Sequence, residues 1–427
     1  MLDRRTFLQR IVATGVLIPN LTYAQRPMGG VKENQKPFRF YNAHVLDSKG
    51  QLRSNWGGEV IDGELHLSKS ISDGIDLKER WIVPNFIDAG CTVGLYEVGL
   101  ESGTHDDSEQ EKSELPLLEA VDGYNPLSEV IPTVRANGIG TVLLHPSIDR
   151  LVSGSMSVVN LAGMTRSEVL FEQQVGLCIG LGGAGKGHRG PSTRMGIAFR
   201  LREILSEIKP PPEKKQKWWN KEELLEELPA RTEEEIWTRV AARKIPVIFS
   251  AKRADDIEFA LSLIENFEIS GMIMGGAEAW IHARRLSELK VPVLLGPVTV
   301  QPSSFEHVHA RYDNAKILHD AGVVIAFRSG QNHNSRQLPS EVAVAVANGL
   351  SFEAAIQALC YNATTIFPMH KPFLFEKPES TRANFFICDG DPLQPRNHIH
   401  RMWIDGQESD LRTRQTDLYE KYRELSK

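Results

Sequence analysis

The sequence has little of several features that would limit its function at once. Its four cysteines, Cys91, Cys178, Cys360 and Cys388, are widely spaced, and no CxxC pair occurs. Such spacing indicates neither a structural zinc site nor a dense disulfide framework. The net charge of −6 gives no reason to expect nucleic acid or an anionic membrane as a partner. After the N-terminus, no segment is long and apolar enough to predict a membrane-spanning helix.

The rest of the composition is that of a globular protein with a large core. Hydrophobic residues make up 41% and charged residues 24% of the 427 positions, and both fractions are ordinary for soluble globular proteins. A chain of this length is long enough for one large barrel with an accessory domain.

The first 25 residues have the pattern of an export signal. Arg4 and Arg5 precede a short apolar stretch at residues 11–18, which resembles a twin-arginine signal, and small residues offer a cleavage site near Ala24. The apolar stretch is too short for a permanent membrane span. We therefore expect a periplasmic or otherwise extracytoplasmic protein; the alternative is a basic terminus without a targeting role.

Both ends of the remaining chain predict short β-strands. Residues 40–47 have a strand-like pattern. Residues 59–65 surround an Asp-Gly turn, which is a hairpin signal. Strand-like runs return near the C-terminus at residues 383–393 and 399–406.

Between these ends, strand-like runs alternate with helical spacing. The buried-strand run at residues 246–251 is followed by Ile257, Ala260, Leu261 and Ile264 at helical spacing. Such close alternation of strand and helix predicts a parallel sheet. The further predicted strands are 271–275, 291–295 and 322–327, and the further predicted helices are 278–289, 339–348 and 352–359.

One segment does not fit this alternation. Residues 209–231 begin with a lysine and three consecutive prolines, which cannot continue a helix, and go on to a lysine cluster and Trp218-Trp219. We interpret the segment as a charged, solvated insertion. The alternative is an exposed aromatic docking site for a partner.

Several motifs resemble the amidohydrolases, and most closely the imidazolonepropionase-like subgroup. Residues 81–94 read WIVPNFIDAGCTVG, which is similar to the first barrel strand of that family. The resemblance extends from about residue 39 to residue 407. Further similar motifs are DGYNP at 122–126, ANGIGTV at 136–142, GPSTRMG at 190–196 and KRADDI at 252–257.

The resemblance implies the fold and the domain organisation. It favours a closed (β/α)8 barrel over an open sheet, and it places the strands from both chain ends in one small β-sandwich. The predicted parts are a signal peptide (1–25), a composite β-sandwich domain (36–82 and 376–412), a barrel (83–375) and a C-terminal helical tail (413–427).

The resemblance also implies where a metal site would lie. In the family, one or two divalent metals, zinc or another, sit at the carboxyl ends of the barrel strands and activate a water, whose proton passes to an aspartate. At each position that the resemblance assigns to this site, the present chain has another residue. These positions are Gly90, Thr92, Cys178, Gly183, Ser250, Lys252, Gly275 and Gly330.

The replacements are poor metal ligands. Glycine and threonine have no imidazole nitrogen, and a protonated Lys252 repels a divalent cation. A single soft thiolate at Cys178 does not replace the lost set, and the alternative is that Cys178 is a small buried side chain. We therefore predict no bound metal and no other cofactor. The pairs His307/His309 and His398/His400 lie away from the predicted strand ends; a surface metal at the second pair is the alternative.

Charged and polar side chains remain near the predicted barrel mouth. Lysine and arginine side chains at positions where the family holds a divalent metal suggest that protein cations have replaced the metal charge. The mouth is therefore either a packed, inert region or an anion-binding pocket. Lone histidines such as His145 are more often structural than catalytic, and Cys91 as a nucleophile would need a neighbouring base. The candidate mouth residues are Asp88, Lys252, Arg253, Glu278, Arg328 and His333.

A fold does not by itself fix a function. The sequence favours an exported pseudoenzyme, which is a non-catalytic homologue or a partner subunit of an active amidohydrolase. Its partner would be a catalytic amidohydrolase or a second copy of the same chain. The alternative is an active hydrolase of non-peptide carbon–nitrogen bonds with an unorthodox, metal-free site. No residue is assigned a catalytic role.

Overall fold

The computed structural model describes residues 37–187, 189–208, 229–299, 304–369 and 380–423. The predicted signal peptide and residues 209–228 of the predicted insertion lie outside these ranges. In the described part, no helix is both long enough and apolar enough to cross a membrane.

The described chain is built from two β-sheets and the helices that cover one of them. The strands, numbered in chain order, are β1 (Phe38–Leu46), β2 (Leu52–Ile61), β3 (Glu64–Ser68), β4 (Ile75–Asp76), β5 (Trp81–Pro84), β6 (Phe86–Cys91), β7 (Ile139–Leu144), β8 (Val152–Asn160), β9 (Leu170–Gly180), β10 (Val247–Ala251), β11 (Gly271–Gly275), β12 (Val293–Leu295), β13 (Ile325–Phe327), β14 (Thr381–Arg382), β15 (Phe385–Cys388), β16 (Ile399–Ile404) and β17 (Gln407–Glu408).

The helices follow the barrel strands for the most part. The α-helices are α1 (Val130–Arg135), α2 (Arg166–Val169), α3 (Arg194–Glu207), α4 (Glu233–Ala241), α5 (Ala254–Phe267), α6 (Ala283–Glu288), α7 (Asn314–Asp320), α8 (Leu338–Ala347), α9 (Phe352–Cys360), α10 (Asn362–Ile366) and α11 (Arg414–Arg423). Short 3-10 turns lie at Ser102–Thr104, Ala120–Gly123, Ala279–His282, Phe305–His307 and His333–Gln337.

The smaller domain is a sheet made from both chain ends. Its strand order is β14-β3-β2-β1-β5-β15-β16-β17, with β4 paired to β1, so the expected association of N- and C-terminal strands is confirmed. The hairpin between β2 and β3 turns at Asp62 and Gly63, whose φ angles are 50° and 79°. Positive φ at both central residues is the geometry that an Asp-Gly turn provides at low cost.

Aromatic packing holds the two chain ends together. Trp403 of β16 is buried and stacks on Phe385 at 4.6 Å and on Phe38 at 4.7 Å between ring centroids. Since Phe38 comes from β1 and the other two rings from the C-terminal strands, burying these rings stabilises the pairing of the distant segments.

The larger sheet is an eight-stranded barrel, as the sequence predicted. Its order runs β13-β12-β11-β10-β9-β8-β7-β6. Backbone hydrogen bonds join its edges: Gly330 N–H donates to Gly90 O at 2.9 Å, and Thr92 N–H donates to Gln331 O at 3.4 Å. The predicted strands at 246–251, 271–275, 291–295 and 322–327 correspond to β10–β13.

One barrel strand departs from the expected alternation. β8 pairs antiparallel with both β7 and β9, whereas the other neighbouring pairs are parallel. The connection from β7 to β8 spans only residues 145–151, which is too short for the crossover that a parallel neighbour needs. The remaining seven strands share one direction, so their carboxyl ends meet at one mouth of the barrel.

The helices form where apolar residues recur on one face. In α5 the buried residues include Ile257, Ala260 and Leu261, which is the spacing seen in the sequence. The helix predicted over residues 278–289 begins instead with the 3-10 turn Ala279–His282 and continues as α6.

Candidate functional site

An open cavity of about 720 Å³ occupies the mouth of the barrel. Its wall is built at the carboxyl ends of the barrel strands, where backbone direction changes and side chains converge. Thr92 follows β6, His145 follows β7, Lys252 follows β10 and Arg328 follows β13, and all four line the cavity. The sequence left open a packed mouth or a pocket, and the described residues form a pocket.

Asp88 lies below this cavity and joins the first barrel strand to the last. Its carboxylate is fully buried. One oxygen accepts the backbone N–H groups of Ser329 at 3.0 Å and Gly90 at 3.2 Å. The other accepts the hydroxyl of Ser335 at 2.7 Å and the hydroxyl of Ser329. With four donors, the carboxylate acts as a structural tie between β6 and the segment after β13.

Burial and hydrogen bonding act on Asp88 in opposite directions. Burial raises the pKa of the carboxyl group above its ordinary value, and the hydrogen bonds from Ser329 and Ser335 lower it. The donors therefore compensate part of the desolvation cost of keeping a charge inside the barrel.

Arg328 extends from the same segment and lies against two glycines. A Cβ atom on Gly90 would be 2.9 Å from Arg328 Nε, and one on Gly330 would be 2.7 Å from Nη2. The guanidinium thus occupies space that a side chain at either position would need. Gly330 also has a φ of +64°, a conformation that glycine adopts with little strain.

His145 is hydrogen-bonded to that guanidinium. Its Nδ1 is 2.8 Å from the carbonyl oxygen of Pro146, and a carbonyl only accepts, so Nδ1 carries the proton. Its Nε2 then accepts a hydrogen bond from Arg328 Nη2 at 3.0 Å. Burial and the charge of Arg328 lower the pKa of His145 to about 3, which keeps the imidazole neutral at physiological pH.

Lys252 is the second cation of the cavity. It is half-buried, and the described residues place no carboxylate within ion-pair distance of its ammonium group. Burial lowers the pKa of Lys252, and the positive charge of Arg328 lowers it further. The two cations therefore interact unfavourably across the mouth.

The carboxylates that line the cavity are held by protein donors. Asp107 accepts the hydroxyl of Ser147, and Glu341 accepts the backbone N–H of Val298 at 2.8 Å. Burial raises the pKa of Glu341. Among the described residues neither carboxylate forms an ion pair with Lys252 or Arg328, although the charge of Glu341 acts to raise the pKa of Arg328.

The eight positions that the resemblance assigns to metal chemistry are not all at the cavity. Thr92, Ser250, Lys252, Gly275 and Gly330 line it. Gly90 faces Arg328, and Gly183 lies in the loop after β9 beside Glu306. Cys178 is buried inside the barrel, and burial raises the pKa of its thiol to about 12, so it stays protonated at neutral pH.

A bound metal ion needs several ligand side chains close together. Among the described residues, no group of three or more His, Cys, Asp or Glu side chains is arranged to hold a metal ion. His398 and His400 lie together in the smaller sheet, with ring centroids 4.7 Å apart, and His400 contacts Asp389.

The remaining candidates from the sequence have other contacts. Arg253 pairs with Asp255 at 3.0 Å. Glu278 is buried and accepts the backbone N–H of Ala254 at 2.8 Å, which satisfies a free donor at the start of α5. His333 is exposed and meets the ring of Tyr96 edge-on at 5.7 Å. Of the six candidates, Lys252 and Arg328 line the cavity.

Sequence reasoning missed several contributors to the mouth. Asp107, Glu341 and His307 all line the cavity. Asp107 and His307 lie outside the predicted strands and helices, and Glu341 lies in the predicted helix 339–348, where its position did not indicate that it faces the mouth. His307 belongs to a His-x-His pair that follows β12, and this pair was the feature of the sequence that could have indicated a position at the mouth. The partners of Asp88 were also missed, although Ser329 directly follows Arg328.

Comparison with solved structures finds relatives for nearly the whole chain. An amidohydrolase from Thermotoga maritima MSB8 is 26% identical, with a TM-score of 0.77 over 88% of this chain and 100% of that one. A prolidase complexed with N-methylphosphonate-L-proline is 14% identical, with a TM-score of 0.54 over 88% of this chain and 100% of that one. No family model and no curated protein matches the sequence.

Removing the Asp88 carboxylate is expected to weaken the closure of the barrel. In Asp88→Ala, the hydroxyls of Ser329 and Ser335 and the backbone N–H groups of Ser329 and Gly90 lose their acceptor, so we expect a loss of about 3 kcal/mol or more in the free energy of unfolding. The matched control is Asp320→Asn on the surface, for which we expect a change below about 0.5 kcal/mol. Chemical denaturation measures both, and equal losses would contradict a structural role for Asp88.

The neutral imidazole of His145 predicts a pH dependence of stability. Its folded-state pKa of about 3 lies below the ordinary value of 6.5, so between these values the unfolded chain binds a proton that the folded chain does not. Stability is therefore lost as the pH falls from 6.5 toward 3, by up to about 1.4 kcal/mol per pH unit.

The variant His145→Gln isolates this contribution. Carboxylates titrate in both proteins, so the difference between the two curves of unfolding free energy against pH reports the imidazole. We expect the variant curve to be shallower between pH 6.5 and 4.5. Parallel curves would show that His145 is not kept neutral by the fold.

Proposed function

The chain has the fold of the amidohydrolase superfamily, and from this premise we propose that it is a non-catalytic member whose barrel mouth no longer holds a metal. The observation that carries the proposal is the position of Arg328. Its guanidinium packs on Gly90 and Gly330, two positions at which the resemblance places a metal ligand and the proton-accepting aspartate. A fixed positive charge there opposes the binding of a divalent cation.

The donor set at the mouth supports the same conclusion. Four of the eight implied positions are glycines, and Lys252 brings a second cation. Cys178 is protonated because burial raises its pKa, and a thiol is a weaker ligand than a thiolate. The residues present therefore do not fit zinc or another divalent metal.

The carboxylate of Asp88 is unsuited to proton transfer. It is buried, and four hydrogen bonds from Gly90, Ser329 and Ser335 occupy its oxygens. A general base must reach the proton that it removes. Asp88 instead stabilises the segment that carries Arg328.

Within the superfamily, we place the chain nearest the imidazolonepropionase-like subgroup. This assignment rests on the motifs at residues 122–126, 136–142 and 190–196.

A second candidate function has one observation in its favour. The cavity contains Lys252, whose pKa is lowered, and Glu341, whose pKa is raised. Groups with shifted pKa values in a cavity are candidates for acid–base chemistry. The corresponding function is a metal-free hydrolase of non-peptide carbon–nitrogen bonds.

Metal analysis of the purified full chain separates these functions from metal-dependent catalysis. We expect the protein, produced in zinc- and manganese-supplemented medium and purified without chelator, to contain far less than one metal ion per chain by mass spectrometry. We expect no hydrolysis of cyclic amides, acylated amino acids or proline dipeptides. A metal-containing amidohydrolase carried through the same steps is the control.

Two outcomes would change the account. Stoichiometric metal that disappears in a Ser250→Ala or Thr92→Ala variant would refute the proposal that the barrel mouth holds no metal ion. Hydrolysis by metal-free protein that is lost in Glu341→Gln would favour the second candidate.

We further propose that the chain is exported and works beside a catalytic amidohydrolase. Arg4 and Arg5 before an apolar stretch support export as a folded protein. Exposed apolar side chains support a protein contact: Met195, Phe199 and Phe305 are 79%, 69% and 86% exposed. Their segments are joined by an ion pair from Arg194 to Glu306 at 2.9 Å, and neighbouring exposed apolar residues of this kind mark interaction surfaces.

Fractionation of producing cells, followed by affinity purification of the C-terminally tagged chain, tests this proposal. We expect the periplasmic fraction to hold a chain cleaved near Ala24, together with a metal-containing amidohydrolase. Arg4→Lys with Arg5→Lys should retain the chain in the cytoplasm, and Lys32→Arg is the control. Recovery from the periplasm as a monomer or homodimer alone would contradict the partner proposal.

A further inference from the structure

The barrel mouth contains two cations that form no ion pair among the described residues, although the charges of Asp88 and Glu341 act on Arg328 and that of Glu306 acts on Lys252 from a greater distance. Arg328 donates to a neutral imidazole at 3.0 Å and to the carbonyl oxygen of Gly296 at 3.4 Å. Lys252 stands at the end of β10 with no described carboxylate at ion-pair distance. We propose that the cavity binds a small organic acid, whose carboxylate is held by Lys252 and Arg328. This inference rests on the proposed function, because a metal at the mouth would exclude it.

The carboxylates of the wall form no ion pair with Lys252 or Arg328 in the described part of the chain, and Glu341 acts on Arg328 only from a greater distance. Asp107 and Glu341 are the acidic residues that line the cavity. The first accepts the Ser147 hydroxyl and the second accepts the Val298 N–H. Each therefore has a hydrogen-bond donor of its own, whereas the two partly desolvated cations have no carboxylate at ion-pair distance among the described residues. A bound anion would relieve their mutual repulsion.

Hydrogen-bonding capacity is also left on the guanidinium. An arginine has five N–H donors, and the contacts to His145 and Gly296 use one on each terminal nitrogen. One terminal N–H therefore remains on each side of the fork. A planar carboxylate matches such a fork.

The rest of the wall suits the body of an organic molecule. Met274, Ile148 and Pro297 present apolar surface, while Thr92 and Ser250 present hydroxyl groups. The volume of about 720 Å³ is within the range of small-molecule sites, about 300–1,000 Å³. Inorganic phosphate would leave most of this space unfilled, so we favour a carboxylate with a carbon skeleton.

The retained barrel gives this pocket rigid support. Lys252 and Arg328 follow directly after β10 and β13, and Asp88 anchors the backbone next to Arg328 through Ser329. Ligand-binding side chains at strand ends are positioned more accurately than those in long loops. The fold is thus able to serve recognition after it has ceased to serve catalysis.

Binding measurements on the full chain test the inference. Glutarate, benzoate and inorganic phosphate are titrated by calorimetry at low ionic strength, and thermal unfolding is recorded with each. We expect glutarate or benzoate to bind and to raise the melting temperature by at least about 2 °C at saturating concentration.

Two lysine variants locate the site. Lys252→Met keeps most of the length of the side chain and removes the charge, and it breaks no described side-chain hydrogen bond or ion pair. We expect it to weaken carboxylate binding at least tenfold, which is about 1.4 kcal/mol. Lys290→Met is the matched control on the exposed surface after α6, and we expect it to leave the affinity unchanged.

The possible results separate this inference from the proposed function. Binding of phosphate alone, no shift with any probe, or equal affinity of Lys252→Met and the wild type would each overturn the organic-acid site. Metal content is measured on the same sample. A metal-free chain that binds no carboxylate defeats this inference only, whereas stoichiometric metal at the mouth defeats the proposed function as well.

Discussion

The architecture of the barrel mouth depends on the buried carboxylate of Asp88. It lies on the first barrel strand and receives hydrogen bonds from Ser329 and Ser335 beyond the last strand. These contacts join the two edges of the sheet where only a few backbone hydrogen bonds do so. Since Ser329 stands between Arg328 and Gly330, the same tie fixes the direction from which the guanidinium enters the mouth.

The replacements around this tie are physically linked. Arg328 needs the space that a larger residue at Gly90 or Gly330 would fill. Its positive charge lowers the pKa of both His145 and Lys252, so the surrounding groups respond to it. A divalent cation in this position would face a guanidinium and an ammonium group. The glycines, the arginine and the lysine therefore belong to one electrostatic arrangement, in which we propose that an anion is favoured over a dication.

Much of the fold could be predicted from the sequence because its signals are local and periodic. The helical spacing in α5 and the Asp62-Gly63 turn each follow from a few neighbouring residues. The antiparallel β8 could not be predicted in this way, since its direction is set by the short connection at 145–151 and by two partners distant in sequence.

The site was harder to predict than the fold. Arg328 and Lys252 were found through their places in strand-end motifs. The pairing of Arg328 with His145 joins residues 183 positions apart, and no local pattern contains it. Glu278 and Arg253 both follow predicted barrel strands in the sequence. However, Glu278 accepts a backbone N–H at the start of α5, and Arg253 pairs with Asp255. A strand-end position brings a residue near the mouth, and its hydrogen-bond partners decide whether it faces the cavity.

The most direct test of the central claim is a crystal structure of the full chain grown with zinc, with diffraction recorded above and below the zinc absorption edge. The account predicts no anomalous peak in the cavity and the Arg328 guanidinium packed on Gly90 and Gly330. An anomalous peak at the mouth, with Arg328 displaced from the two glycines, would contradict it.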